Sequence, residues 1–390
     1  MKETTKKNLL TAISYIVVAA MAAAVTYFSM EEKAGGSKLN ELQMLIDRVF
    51  IGEVDQTTLE DGAAAGMVAA TGDQWSYYIP AAEFGDYMDQ MNNEYVGVGI
   101  TVTQTEDGTG YHVNQVEPGS GAAEAGVLPG DVVYSVDGAL LTEIGFENAT
   151  TKIKGDENTK VKLGIRRGEE TLELEVTRKK ILVVVAEGEM LEGNIGLVTI
   201  NNFDERCAEE TIAAIDKLVA EGATALIFDV RFNPGGYKSE LEKVLDHLLP
   251  EGRIFHTIDY TGKEEFTDSD AQCLEMPMAV LMNGSSYSAA EFFAAALDEY
   301  DYAVLVGEPT TGKGYFQSTF RLSDGSAVGL SIGKYFTPVL GRSLAEEGGL
   351  QPEILVELDD ETRANIYGDL VEPANDPQIQ AAVKALLENS

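Results

Sequence analysis

Met278-Ala279-Val280-Leu281-Met282-Asn283-Gly284-Ser285-Ser286-Tyr287-Ser288-Ala289-Ala290-Glu291 joins a fully apolar run to a turn of small polar residues and then to the start of a helix. An apolar run without alternation predicts a strand buried on both faces. The helix that follows is expected from about Ala289 to Leu297. Ala223 to Val230 and Ala303 to Gly307 are runs of the same kind, and Asn194 to Ile200 is a further strand. Glu205 to Glu221 carries a helical period between them. Buried strands alternating with helices from about residue 181 onward predict a largely parallel α/β core.

The turn after the quoted strand holds the first candidate for chemistry. Ser288 sits where the strand gives way to the helix, which exposes a hydroxyl at a helix N terminus. Unpaired N–H groups and the helix dipole favour developing negative charge there. Many serine hydrolases display their nucleophile on such a turn. Serine is also an ordinary N-cap, so Ser288 alone does not decide between the two.

A serine nucleophile needs a base. The chain has three histidines, His112, His247 and His256, and none lies in a glycine-flanked loop. Each reads as structural or exposed. Lys313 is the better base, set between Gly312 and Gly314 just after an apolar strand. A lysine acts as a base only when neutral, so a pocket must lower its pKa from ~10.4 towards about 7–8. That shift of ~3 units costs about 4 kcal/mol. If an extended strand follows Gly312, then Lys313, Tyr315 and Gln317 share one face, and Gln317 is placed to orient the amine. A phosphate-binding loop is the competing reading. Thr310-Thr311-Gly312-Lys313-Gly314 lacks its spacing and the Ser/Thr after the lysine.

Upstream, around Tyr95, the period becomes strand-like. Val96-Gly97-Val98-Gly99-Ile100-Thr101-Val102 has small residues followed by alternating apolar ones. Pro129-Gly130-Asp131 introduces a strand at Val132 to Val136, and Val161 to Val176 reads as a hairpin turning at Arg167-Gly168. A glycine-rich turn before an edge strand presents N–H groups to a peptide carboxylate, and the strand then accepts the peptide by β-augmentation. A simple cluster of hairpin glycines is the plainer alternative. Residues 94–180 resemble a PDZ domain, most specifically over Gly119-Ser120-Gly121-Ala122-Ala123-Glu124-Ala125-Gly126-Val127-Leu128-Pro129-Gly130-Asp131-Val132. In PDZ domains the carboxylate loop precedes the second strand, which implies Val96, Gly97, Val98, Gly99 and Ile100 here. Strand alternation adds Val102 beside Val98 and Ile100 in an apolar groove.

At the N terminus, Lys2, Lys6 and Lys7 precede an uncharged stretch from Asn8 to Met30, and Glu31, Glu32 and Lys33 follow. That is roughly the ~20 apolar residues needed to cross a bilayer. The lysines predict the N terminus inside and the body outside. A cleaved secretory signal is the rival, with small residues at Ala22-Ala23-Ala24, but signal h-regions run only about 7–15 residues. Ala34-Gly35-Gly36-Ser37 reads as a flexible linker. Leu42, Leu45, Ile46 and Val49 then recur at helical spacing, with a second helix at about 57–71. These helices read as packing or dimer elements.

The chain of 390 residues predicts two or three domains, and 44% hydrophobic residues suffice for a sizeable core. A net charge of -37 argues against nucleic-acid and anionic-lipid partners. Cys207 and Cys273 have no metal-like spacing, so neither a disulfide framework nor a zinc site is indicated.

Ser286-Tyr287-Ser288-Ala289-Ala290-Glu291, with Gly312-Lys313-Gly314 and then Gln317 downstream, resembles the carboxyl-terminal processing proteases, the tail-specific proteases. Tyr335-Phe336-Thr337-Pro338, Gly341-Arg342-Ser343 and Asp376-Pro377-Gln378 match in order, and the likeness covers about 38–386. The resemblance implies a PDZ domain coupled to a Ser/Lys protease core. Ser288 is then the nucleophile, Lys313 the base and Gln317 its orienting partner. It also implies an oxyanion hole from Ala289 and from Gly235 or Gly236, and no metal or cofactor. The family's usual Ser-Ala-Ser-Ala-Ser-Glu run is interrupted here by Tyr287 and Ala290. Thr71-Gly72-Asp73-Gln74-Trp75-Ser76 replaces a Leu-Asp-Pro-x-Ser segment, and Glu346-Glu347 is a short insertion.

The expected organisation is a basic tail and anchor at 1–33, a helical region at 38–93 and a PDZ-like α+β module at 94–180. An α/β protease core with a mixed sheet and flanking helices follows at 181–357, then a C-terminal helical segment at 358–390. The expected partners are protein substrates with exposed C termini, the membrane, and a second copy of the chain. A PDZ adaptor with an inactive core, and a membrane-tethered α/β binding protein without catalysis, are the alternative readings.

Overall fold

The computed structural model describes residues 37–105 and 107–388. The anchor expected at 1–33 lies outside them, and among the described residues no helix is long and apolar enough to cross a membrane. The chain divides into two compact units that meet in sequence at Tyr78 and Ile79. The first contains helices Lys38–Val49 and Gln56–Ala69. Ser37 and Asp55 cap them, accepting from Leu39 N–H and Thr58 N–H. Leu42, Leu45 and Val49 stay exposed on the first helix.

In the second unit the α/β core opens with a hairpin, β1 (Ala186–Leu191) and β2 (Ile195–Ile200). Then come α1 (Cys207–Ala220), β3 (Ala225–Asp229), α2 (Lys238–Leu248), β4 (Gly252–Asp259) and β5 (Glu264–Ser269). They lead to β6 (Met278–Met282), α3 (Ala289–Glu299), β7 (Ala303–Gly307), β8 (Tyr315–Arg321) and β9 (Ala327–Phe336). Last are β10 (Ile354–Leu355) and α4 (Pro377–Glu388). The main sheet runs β1-β2-β3-β6-β7-β10, parallel except for β1.

Its central strands lack alternation because both faces are covered. Leu226, Phe228, Met278, Val280 and Met282 face the cluster containing residues of α1, α2 and α3. The intervening Ala225, Ile227, Ala279 and Leu281 pack with Ile379, Ala382 and Leu386 of α4. The sheet is therefore a packed middle layer, and β6 is its axis. A second, antiparallel sheet orders β5-β4-β9-β8. Strands β4 and β5 have no apolar run of their own, so their pairing is a product of tertiary contacts.

The PDZ-like part has a six-stranded sheet in the order Ile100–Gln104, Tyr111–Val116, Val132–Val136, Lys160–Arg167, Glu170–Thr177, with Ala139–Leu140 also paired to Val132–Val136. Helix Phe146–Ile153 packs on it over Val113, Val133, Leu163 and Ile165. Residues 96–102 do not form one strand: Glu94–Gly97 pairs with Lys179–Leu182 in a separate ribbon. The chain turns at Gly99, where φ is +79° and a Cβ would stand 2.2 Å from the Ser120 Cβ. No other residue fits there.

Candidate active site

The loops that follow β2, β3, β6 and β7 converge at the carboxyl ends of the parallel strands, where open α/β sheets place their ligands. Ser288 is on the β6–α3 turn and is 4% exposed. Its φ of 58° and ψ of -124° are unfavourable for a residue with a Cβ, a strain of about 1–3 kcal/mol. Three hydrogen bonds hold the turn. Ser286 Oγ donates to Val230 C=O at 2.7 Å, and Asn283 N–H donates to Ser286 Oγ at 3.0 Å. Tyr287 N–H donates to Asn233 C=O at 3.1 Å. The strained turn presents Ser288 as the N-cap of α3.

Glu291, one turn into α3, ties this turn to the lysine loop. Its Oε2 accepts from Ser288 N–H at 3.0 Å and from Lys313 N–H at 2.8 Å. Its Oε1 accepts from Thr310 Oγ1 at 2.5 Å and Gly312 N–H at 2.7 Å. Burial pushes its carboxyl pKa up, against these four bonds, which favour the ionised form. Thr311 N–H donating to Ser286 C=O at 3.2 Å joins the same two loops. Lys313 Nζ stands 5.7 Å from the centre of the Tyr287 ring. The signal for Glu291 was its place three residues after Ser288, but only the fold shows that it reaches the lysine loop.

Strand β8 begins at Tyr315, so Lys313 lies in the preceding loop. A bulge between Phe316 and Gln317 shifts the register with β9, and simple alternation from Lys313 does not apply. Gln317 Nε2 donates to Ser331 Oγ at 2.9 Å and Tyr315 C=O at 3.2 Å. Gly314 and Gly312 both lie against the 344–349 segment. A Cβ on Gly314 would stand 2.8 Å from Ala345, and one on Gly312 would stand 2.7 Å from Gly349 N. The start of the short helix Leu344–Glu347 and the glycines that follow it thus pack against the lysine loop.

Across the cleft, Gly235 packs on Ser288: a Cβ there would stand 2.7 Å from the Ser288 Cβ. Its own N–H donates to Asn233 Oδ1 at 2.8 Å. Gly236 pairs with Phe203 in a short parallel bridge. The loop is anchored by Arg231, which donates to Asp229, to Asp376 Oδ2 at 2.8 Å and to Gln378 Oε1 at 2.9 Å. This explains the Asp376-Pro377-Gln378 motif: it locks the entry of α4 to the end of β3.

Two groups in this region were not legible in the sequence. The Tyr335 phenol from β9 lies against Ser288, and burial pushes its pKa up to about 12, partly offset by the serine hydroxyl. Asp204, on the β2–α1 loop, is 8% exposed, and among the described residues its Oδ1 has no hydrogen-bond partner. Burial raises its pKa to about 7. The histidines are engaged elsewhere. His112 bonds Asn114, His247 faces Asp216 at 3.6 Å, and His256 stacks on Phe266 at 4.4 Å. Among the described residues no cluster suits a metal ion. Cys207 and Cys273 are both free thiols.

The second candidate site is a cavity of about 110 Å³ in the PDZ-like part. Gly97, Val98, Gly99, Ile100 and Val102 line it beside Ile153. It opens along Ile100–Gln104, the edge strand of its sheet. Val96, the remaining residue expected there, pairs with Lys180 in the neighbouring ribbon.

An α/β core with a strained serine at a strand–helix turn, joined to a module with an open edge strand, defines a hydrolase coupled to a peptide-binding domain. The sequence profile of peptidase family S41 matches residues 194–356, and that of a PDZ domain matches residues 112–167. The carboxy-terminal processing protease CtpA of Bacillus subtilis (strain 168) is 30% identical over 370 residues, covering 91% of this chain and 78% of that protein. A Staphylococcus aureus (strain COL) protein named as a CtpA-like serine protease is 27% identical, covering 88% of this chain and 71% of that one. An S41 protease structure from Bacteroides fragilis matches the fold with a TM-score of 0.54 at 16% identity, over 88% of this chain and 93% of that chain. The chain belongs to peptidase family S41, as a serine-type carboxy-terminal processing protease.

Proposed function

We propose that this protease hydrolyses peptide bonds with a Ser288/Lys313 dyad and selects substrates by their C-terminal tails. The observation that carries the dyad is the single Glu291 oxygen that accepts from both Ser288 N–H and Lys313 N–H. Neutral Lys313 takes the Ser288 proton as the hydroxyl attacks the scissile carbonyl, and Gln317 orients the amine. Ala289 N–H and Gly236 N–H hold the oxyanion, each donor worth roughly 2.7–4 kcal/mol in comparable hydrolases. Of the two glycines Gly236 is favoured, because the Gly235 N–H is engaged by Asn233. Lys313 then protonates the leaving amine, and water releases the acyl group from Ser288.

Tail capture uses the turn from Val96 to Ile100, with the peptide adding to the open edge of Ile100–Gln104. Val98, Ile100 and Val102 favour an apolar terminal residue. The stretch from Asn8 to Met30 anchors the chain in the membrane with the catalytic body outside. The apolar residues exposed on helix Lys38–Val49 support association with a second copy.

Cleavage of an unfolded protein tests the dyad. Ser288→Ala, Lys313→Ala and Lys313→Arg are each expected to lower turnover at least about a thousandfold, since arginine stays protonated. Gln317→Ala is expected to cost less, and EDTA to have no effect. Appreciable activity in Lys313→Ala would overturn the lysine base.

A further inference from the structure

The tail-binding cavity has a charge problem that its glycines do not solve. The chain carries a net charge of -37, and a peptide's free C terminus is an anion. Helix Phe146–Ile153 also ends at the cavity, and a helix C terminus bears partial negative charge. A carboxylate entering there meets repulsion at long range and again at contact, unless a cation stands beside it.

Lys154, the C-cap of that helix, lines the same cavity as Gly97, Val98 and Gly99. It is the only Lys or Arg among the described residues that does so. Among those residues no carboxylate lies within ion-pair distance of it, whereas two lysines of the adjoining ribbon are committed, Lys179 to Glu124 and Lys180 to Glu94, both at 2.7 Å. The helix end that carries Lys154 is itself fixed. Arg178 donates to Lys152 C=O at 2.6 Å and to Ile153 C=O at 2.9 Å, which satisfies the carbonyls that would oppose an anion.

We propose that Lys154 is the counter-ion for the free α-carboxylate of the captured tail, and therefore the residue that separates a true C terminus from an internal or amidated one. This rests on the tail-capture reading given above. Backbone N–H groups of the glycine turn supply direction, and Lys154 supplies the charge that offsets the acidic body. An ammonium on a flexible stem suits this, because Lys154 is exposed and its charge is screened by solvent. The pair therefore contributes modestly to affinity, a factor of about two to five. Its contribution falls with salt.

The test measures binding of a fluorescent decapeptide ending in valine, as free acid and as amide, to the full chain carrying Ser288→Ala to prevent turnover. The free acid is expected to bind more tightly. Lys154→Gln should weaken it about two- to fivefold and leave the amide unchanged, and Lys154→Arg should retain the preference. Lys154→Glu should invert it. Thermal melting confirms that each variant is folded. If Lys154→Gln binds the free acid as tightly as the parent does, the counter-ion assignment is overturned while tail capture stands. If the parent chain does not distinguish acid from amide, tail capture fails and Lys154 falls with it.

Discussion

At Asp204, burial outweighs every other influence on the carboxyl group and holds its pKa near 7. The folded chain keeps this proton up to about pH 7, whereas an unfolded aspartate releases it near 3.8. Between those values folding takes up a proton. Stability from this group is therefore full at low pH and is lost as pH rises through 7. Asp204→Asn carries no such proton. Relative to the parent, it is expected to gain stability from pH 5 to pH 8, by about 1.4 kcal/mol per pH unit until the folded pKa is passed. Urea unfolding at the two pH values measures this, and an equal difference at both would mean that Asp204 is ionised throughout. The orphaned oxygen was invisible in Asn202-Phe203-Asp204 because the neighbours that bury it come from other elements. Glu291 differs: its offset from Ser288 is a sequence property, and only its reach to Gly312 and Lys313 is tertiary.

Among the elements, the β6–α3 turn and the β3–α2 loop depend on each other. Gly235 has φ +89°, and its missing Cβ is the space that Ser288 occupies. Gly222, after α1, has φ +99° and open space around it. Gly235→Ala therefore adds a clash to the backbone strain that Gly222→Ala has alone. Both are expected to lose about 1–3 kcal/mol of stability for the strain. Only Gly235→Ala is expected to lower turnover, by at least about tenfold, because the intruding methyl displaces Ser288. Peptide cleavage beside thermal melting separates the two effects, and equal activity in both variants would show that the turn tolerates the shift. Strands β6 and β7 were readable in advance because burial on both faces leaves an apolar run. Strands β4 and β5 were not, since Arg253-Ile254-Phe255-His256-Thr257 pairs with polar Glu264 to Ser269 only in the assembled sheet.

For the whole molecule, the acidic body and the lysine-flanked apolar stretch make a topological prediction. Protease added to intact cells is expected to digest the body and leave a small membrane-embedded stub that begins at the N terminus. Full-length protein in the medium would show a cleaved signal instead. The PDZ-like module and the core belong to one unit, and side-chain hydrogen bonds hold their junction. Arg206 donates to Asn92 C=O at 2.8 Å and to Val183 C=O at 2.5 Å, while Asn93 and Asn202 bond each other. A side chain of the core thus grips the segments that lead into and out of the module.

The sequence by itself determined the class of the core, the serine turn, the lysine loop and the peptide-binding module. Each of these is local: a strand buried on both faces, a glycine-flanked lysine and a run of turn residues keep their pattern wherever the chain folds. Only the tertiary structure decided which groups meet. Glu291 joins Ser288 to Lys313, Arg231 locks the glycine loop to α4, Asn233 takes the Gly235 N–H, and Lys154 lines the cavity of the PDZ-like part. Those contacts link residues far apart in sequence or depend on the path of a turn. No periodicity records them, because burial and hydrogen-bond satisfaction are properties of the packed loops rather than of any one segment.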